Sequence, residues 1–211
     1  TPTATASSNL TVAITVDATA SAVCSISGGV VSFLAGGTCV IDFNQAGNST
    51  YLAATQVQQS FTVAKATQTI TVTTSAPAAT VGDGTYTPTA TATSSLTVAI
   101  TVDAVSSSIC TITAGVVSFQ AVGTCVLDFN QAGNSTYLAA TQVQQNVTVS
   151  KGVQNITVTT TAPAATVGDG TYTPTATAAG TNLQVNSNTV AITVDAVSSS
   201  ICTITAGVVS F

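Results

Sequence analysis

The chain of 211 residues has no His, Met or Trp. Reading along it also finds no Glu and no Arg, so its cations are Lys65 and Lys151 and its anions are seven Asp. Charged residues make up 4% of the chain, against roughly 25% in an average soluble domain. General acid–base chemistry draws on His, Glu or Asp, or on a Lys of shifted pKa, and most of that set is missing. An enzyme is therefore not expected, and no cofactor is implied. A net charge of −5 with two Lys supplies no basic stripe, so no nucleic-acid partner is expected either. The five Cys stand too far apart for the usual spacing of a zinc site. Mean hydropathy is positive at +0.52, yet Thr, Ser, Asn or Asp interrupts each apolar run well short of the ~18 residues of a spanning helix. No membrane span is expected in this window, no signal peptide opens it, and Thr1 is not an initiator, which reads as a window on a longer chain.

What is present repeats. TPTATA recurs at Thr1, Thr87 and Thr173, a period of 86, and the same offset carries Cys24 to Cys110, Cys39 to Cys125 and Lys65 to Lys151. DFNQAGNSTYLAATQVQQ stands whole at Asp42 and at Asp128. In the third copy Asp103 maps to Asp195, an offset of 92, so six residues are inserted near 179–189, as a surface loop tolerates. The expected division is repeat 1 at 1–64 without its first strand, a complete repeat 2 at 65–150, and repeat 3 at 151–211 without its last strands. A period of this length suits a small domain rather than a solenoid.

Within repeat 2 the residues alternate with the period of strands. Strands are expected at 69–74 (TITVTT), 85–93 (TYTPTATAT, with Pro88 at an edge or bulge) and 96–103 (LTVAITVD). A hairpin of 110–113 and 116–120 would turn at Ala114-Gly115. Segment 124–130 (TCVLDFN) places Cys125, Leu127 and Phe129 inward, and 145–150 does the same with Val147 and Val149. Gly82-Asp83-Gly84 and Ala132-Gly133-Asn134 read as turns. The fold class expected is all-β, as tandem immunoglobulin-like sandwiches of about seven antiparallel strands each.

The segments VGDGTYTPTATA, SSSICTITAGVVSF, GTCVLDFNQAGNSTY and QVQQNVTVSK together resemble the bacterial Ig-like repeats of very large secreted and surface-anchored proteins. The resemblance covers the whole chain. It implies a spacer, adhesin or fibre role outside the cell, and no catalytic residues.

Cys110 and Cys125 lie 15 apart on strands that share an inward face, and Cys24 and Cys39 repeat the arrangement. A disulfide within each repeat is one reading, and two buried thiols packing as small apolar groups is the other. Cys202 is left over, its mate expected beyond residue 211. Paired cysteines in each repeat would place the protein in an oxidising setting, extracellular or at the cell surface.

Other residues invite a site. Asp42, Asn44 and Asn48, repeated as Asp128, Asn130 and Asn134, offer oxygens to calcium, but with one carboxylate per cluster where calcium takes six to eight oxygens; turn chemistry accounts for the same residues. Lys65 and Lys151 stand at the repeat boundaries, either as solvated linkers or as partners in a Lys–Asn isopeptide cross-link, for which no acid is near in sequence. The Thr rows 69/71/73 and 87/89/91/93 match ice-binding ladders in spacing, although Thr is an ordinary outward strand residue and sheets twist. Sequons occur at Asn9, Asn48, Asn134, Asn146 and Asn155. The function expected is a stiff, disulfide-stabilised rod in a fibre, filament or surface protein, self-associating or packing on neighbouring repeats. The alternatives are an adhesin module touching glycans or host surfaces, with Tyr51, Tyr86, Tyr137 and Tyr172 as candidate platforms, and an accessory stalk of a larger secreted protein.

Overall fold

The structure is a computed structural model that describes residues 1–82, 84–168, 170–180 and 189–211. Asp83, Asp169 and most of the expected insertion (181–188) lie outside the described residues. Among the described residues the chain is all-β, in several small sheets, with only one-turn 3₁₀ helices besides. No described helix is long and apolar enough to cross a membrane, a statement that does not bear on strands.

Repeat 1 carries β1 (Ala13–Val16), β2 (Cys24–Ser27), β3 (Val30–Phe33), β4 (Gly37–Asn44) and β5 (Val57–Val63). Then come β6 (Ile70–Val72), β7 (Ala79–Thr80), β8 (Thr85–Tyr86), β9 (Ala90–Ala92), β10 (Ala99–Val102), β11 (Cys110–Thr113), β12 (Val116–Phe119), β13 (Gly123–Asn130) and β14 (Val143–Ser150). The last stretch holds β15 (Gln154–Val158), β16 (Thr171–Tyr172), β17 (Ala176–Gly180), β18 (Thr203–Thr205) and β19 (Val208–Ser210).

The periodicity of the repeat reappears in the sheets. One sheet runs β1-β4-β5, and its counterpart runs β10-β13-β14 with β7 added outside β14. The β4–β5 ladder pairs Gly37 with Val63 through to Phe43 with Val57, antiparallel. The hairpins β2–β3, β11–β12 and β18–β19 share one register, with Cys24 opposite Phe33 and Cys110 opposite Phe119. Each turns on two residues of positive φ: Gly28-Gly29, Ala114-Gly115 and Ala206-Gly207. Such a two-residue turn matches the twist of the strands it joins.

Three expectations change. The strand expected at 85–93 is two short ones, β8 and β9, with Pro88 between them, where a missing N–H cannot extend a ladder. The strand expected at 96–103 is shorter, Ala99–Val102, and the chain enters it after a turn at Ser95 (φ 62). The pairings are not all antiparallel: β14 takes β7 in parallel, with Ala79 opposite Val149 and Thr80 opposite Ser150.

The chain clusters into two compact units, one of 1–74, 89–100 and 128–144, the other of 75–88, 101–127 and 145–211. In the first, Ala20, Cys24, Cys39 and Ile41 form a buried core flanked by Ile14, Val16, Val23, Val31, Phe43 and Val63. In the second, Cys110, Val117, Cys125, Leu127 and Val147 are fully buried, and Phe119, Tyr86 and Val149 nearly so. Alternation explains the pattern: successive side chains of a strand face opposite ways, so the odd positions Cys125, Leu127 and Phe129 all go inside. Each buried Leu, Val or Phe contributes roughly 1.5–3 kcal/mol from apolar burial.

Candidate functional site: the cystine cores and the Lys65 joint

Two features stand out physically: a cystine in each of the first two repeats, and a stitched segment around Lys65. Cys24 and Cys39 form a disulfide, as do Cys110 and Cys125, each with Cα atoms 5.7 Å apart. All four are 0% exposed. Their placement matters more than their number. Cys24 belongs to the β2–β3 hairpin and Cys39 to the β1-β4-β5 sheet, so the bond fastens one sheet to another. In the next repeat Cys110 lies in the sheet β11-β12-β8 and Cys125 on β13 of the other sheet. Cys202 is a free, half-buried thiol.

A 3₁₀ turn leads into each first cysteine. Asp17, Asp103 and Asp195 cap these turns, each carboxylate accepting a backbone N–H two residues on, from Thr19, Val105 and Val197. In repeat 1 the Thr19 hydroxyl also donates to Asp17 at 2.5 Å, and these two bonds hold the Asp17 carboxyl below its ordinary pKa. In repeat 2 Ser106 sits where repeat 1 has Ala20. Its buried hydroxyl accepts the Val126 N–H at 3.0 Å and reaches the Asp103 and Val126 carbonyls.

The segment 65–68 is held by backbone and side chain together. Ala66 donates its N–H to the Thr136 carbonyl, and its own carbonyl accepts from Leu138, both at 2.8 Å, while Gly36 N–H donates to the Ser135 carbonyl at 2.8 Å. Gln68 is 7% exposed; its amide donates to Gln131 Oε1 at 2.7 Å and to the Leu138 carbonyl at 2.6 Å, and its Oε1 accepts from Ser94. Sequence reasoning missed this network, because a Gln among Thr and Ser carries no periodic signal. The signal that was available is repetition, since Gln68 and Gln154 occupy the same repeat position.

The candidate calcium oxygens are placed as follows. Asp42, 8% exposed, accepts from the Gln58 amide at 2.8 Å, and Asp128 accepts from the Gln144 amide at 2.7 Å. Asn44 is half-buried and Asn130 exposed. Asn48 and Asn134 are turn residues, whose Oδ1 accepts two backbone N–H groups each, from Thr50 and Tyr51 and from Thr136 and Tyr137. Among the described residues no group of three His, Cys, Asp or Glu converges. The Thr rows bond across strands, Thr73 to Thr89 and Thr159 to Thr175, each at 2.6 Å. Of the tyrosines, Tyr86 is buried with its hydroxyl on Gln145 at 2.7 Å, Tyr172 bonds Thr160, and Tyr51 is half exposed.

No family model matches the chain, and no curated protein matches it. Among solved structures it is similar to the surface layer protein SbsC, domains 4–9, at 15% identity and a TM-score of 0.31, over 81% of this chain. The chain spans 28% of the length of that one. A likeness at this level leaves the functional reading to the chain's own residues.

Proposed function

We propose that the chain is a structural repeat region of an extracellular fibre, filament or surface protein, built from tandem Ig-like sandwiches that act as a stiff, disulfide-stabilised rod. The observation that carries the reading is the buried cystine joining two sheets in each of the first two repeats. Two small sheets covering one apolar core and fastened through it are the essentials of an Ig-like sandwich. A bond of that kind persists in oxidising surroundings, which supports a location outside the cytoplasm. The stitched joint at Ala66 and Gln68 leaves little slack where repeat 1 runs into repeat 2, as a rod requires and a flexible tether does not. On this reading the chain is no enzyme. Among the described residues Asp17, Asp103 and Asp195 cap turns and Asp42 and Asp128 accept from Gln amides, and those functions need no reactivity.

Electron microscopy of the native material, with intact mass before and after reduction, tests the proposal. Straight particles or filaments with an axial period of one or a few small domains, together with a gain of two hydrogen atoms per repeat cystine on reduction, support it. Flexible, irregular particles, or a mass that reduction leaves unchanged, overturn it.

A further inference from the structure

Of the Asn-x-Ser/Thr sequons, one pair keeps the register of the repeat: Asn48 and Asn134, each opening Asn-Ser-Thr. The others fall where the equivalent residue is no asparagine. Asn9 answers to Ser95, Asn146 to Ser60 and Asn155 to Thr69. The retained pair also differs in where it stands. Asn146 and Asn155 lie within β14 and β15, whose backbone is committed to ladders, Asn155 opposite Ala179. Asn48 and Asn134 lie outside the strands, in turns.

Each of these carboxamides is fixed by one end and free at the other. Asn134 Oδ1 accepts the backbone N–H of Thr136 at 2.8 Å and of Tyr137 at 2.9 Å, and its own N–H donates to the Tyr137 carbonyl at 3.0 Å. Asn48 makes the same three bonds with Thr50 and Tyr51, at 2.8, 2.9 and 2.9 Å. Gly133 (φ 77) and Gly47 (φ 75) lead into the turns, and a Cβ at either would run into the tyrosine carbonyl. The shape is therefore held tightly. Nδ2 takes no hydrogen-bond partner among the described residues, and both Asn are exposed. Asn134 is the decisive copy, because the residues packed beside its turn are in place. Its neighbours Ser135 and Thr136 give their carbonyls to Gly36 and Ala66 at the joint, and Asn134 stays exposed next to them.

We propose that Asn134, and Asn48 with it, is a glycosylation site, taking a sugar on Nδ2 from a donor activated as a pyrophosphate ester. In the transfer a bond forms between Nδ2 and the anomeric carbon of the sugar. The bond from that carbon to the donor's pyrophosphate oxygen breaks, and Nδ2 gives one of its two protons to a base on the transferase. Nothing is oxidised or reduced. Oδ1 is not consumed, so both N–H bonds that shape the turn survive the modification. A transferase that reads Asn together with the hydroxyl two residues on needs a stretch standing clear of the sheets. The turn at 134–136 stands clear, and the sequon within β14 does not. A sugar at this turn projects into water at the edge of the joint, once per repeat. On a chain with 4% charged residues it supplies the hydration that charge does not. The site does not depend on the rod reading, since a spacer, a filament or an adhesin would carry it alike.

The test is peptide mass spectrometry on the protein isolated from the cells that make it, as the native chain and as T136V. Elastase digestion suits a chain with two Lys, and electron-transfer fragmentation leaves a sugar on the residue that bears it. T136V removes the sequon hydroxyl but keeps the N–H that Asn134 Oδ1 accepts, giving up only a long 3.5 Å bond to the Leu34 carbonyl. An unchanged melting curve checks that the variant folds, and the native chain is read independently of it. The expected result is hexose or N-acetylhexosamine on Asn48 and Asn134, with Asn146 and Asn155 bare. In T136V the sugar at Asn134 should be lost while Asn48 keeps its own. Native Asn48 and Asn134 peptides with no added mass overturn the proposal. Sugar on the Ser135 or Thr136 hydroxyl instead, equal occupancy at Asn146, or a sugar on Asn134 that survives T136V overturns it as well.

Discussion

Gly36 donates its backbone N–H to the Ser135 carbonyl at 2.8 Å, and a side chain in its place requires Lys65 to move: a Cβ there would lie 2.5 Å from Lys65 Cγ and 3.2 Å from the Lys65 backbone nitrogen. The glycine is required by close approach rather than by its backbone angles. Repeat 2 carries Val122 at the equivalent position, 51% exposed. The substitution G36V therefore tests the joint with a residue the repeat itself tolerates elsewhere. It is expected to push Lys65 away, break the bond to Ser135 and cost about 1–3 kcal/mol, the usual range for overpacking. Hydrogen exchange reads the outcome directly. The amides of Gly36 and Ala66 should lose protection together, while those of β2 and β3 keep theirs.

The two cystines should behave alike. Each closes a loop of 15 residues, worth about 3 kcal/mol if the bond acts chiefly on the unfolded chain. Replacing both Cys110 and Cys125 with Ala should lower stability by that order in urea titration, and the matched change at Cys24 and Cys39 should do the same for repeat 1. Single replacements should cost as much or more, since they leave an unpaired thiol in a core that is 0% exposed. A double replacement that left the midpoint unchanged would mean that the packing of Leu127 and Val117 alone holds the two sheets together.

Much of this was legible before the structure. The alternation in 124–130 gave the inward positions Cys125, Leu127 and Phe129 because a half-buried strand has a strict period of two. The period of 86 tied each finding in one repeat to a test in the next. What stayed hidden lacks a period. The two-residue strand Ala79–Thr80 is too short to alternate, and its place is fixed by β14 rather than by its own residues. The Gln68 network is polar and unpatterned, and the requirement for Gly36 comes from a residue 29 positions along the chain, Lys65. The Ser106 hydroxyl, fully buried beside Val126, looks in sequence like any other Ser in a Ser-rich turn.

The hairpin turns offer a gain in stability. Ala114 holds φ 50, a left-handed conformation that crowds its Cβ, where repeat 1 has Gly28 at φ 55. At Gly28, in the same turn of repeat 1, nothing lies within 4 Å of the Cβ position. A114G is expected to stabilise the β11–β12 hairpin by about 0.5–1 kcal/mol, less whatever the freer glycine adds to the unfolded chain. A thermal melt reads the sign, and A206G should shift it the same way. A fall in the midpoint would mean that the turn is not limiting in this hairpin.

Asp17 provides a pH test with an internal control. The Thr19 hydroxyl and backbone N–H both donate to its carboxylate and hold its pKa below the ordinary 3.8. A carboxyl whose folded pKa is lowered adds stability that is complete above the unfolded value and is lost as pH falls through the folded one. Repeat 1 should therefore lose stability below about pH 4 as Asp17 takes up its proton. T19V writes the residue of repeat 2 into repeat 1, since Val105 stands at that position. The change deletes the hydroxyl and keeps the backbone donor. Carboxyl-carbon NMR through an acid titration should then show the Asp17 midpoint move up toward 3.8 without reaching it, because the backbone bond remains. No movement would assign the lowered value to the backbone N–H and the Gln58 amide, which also donates to this carboxylate, and the Thr19 hydroxyl would have no electrostatic part in the turn.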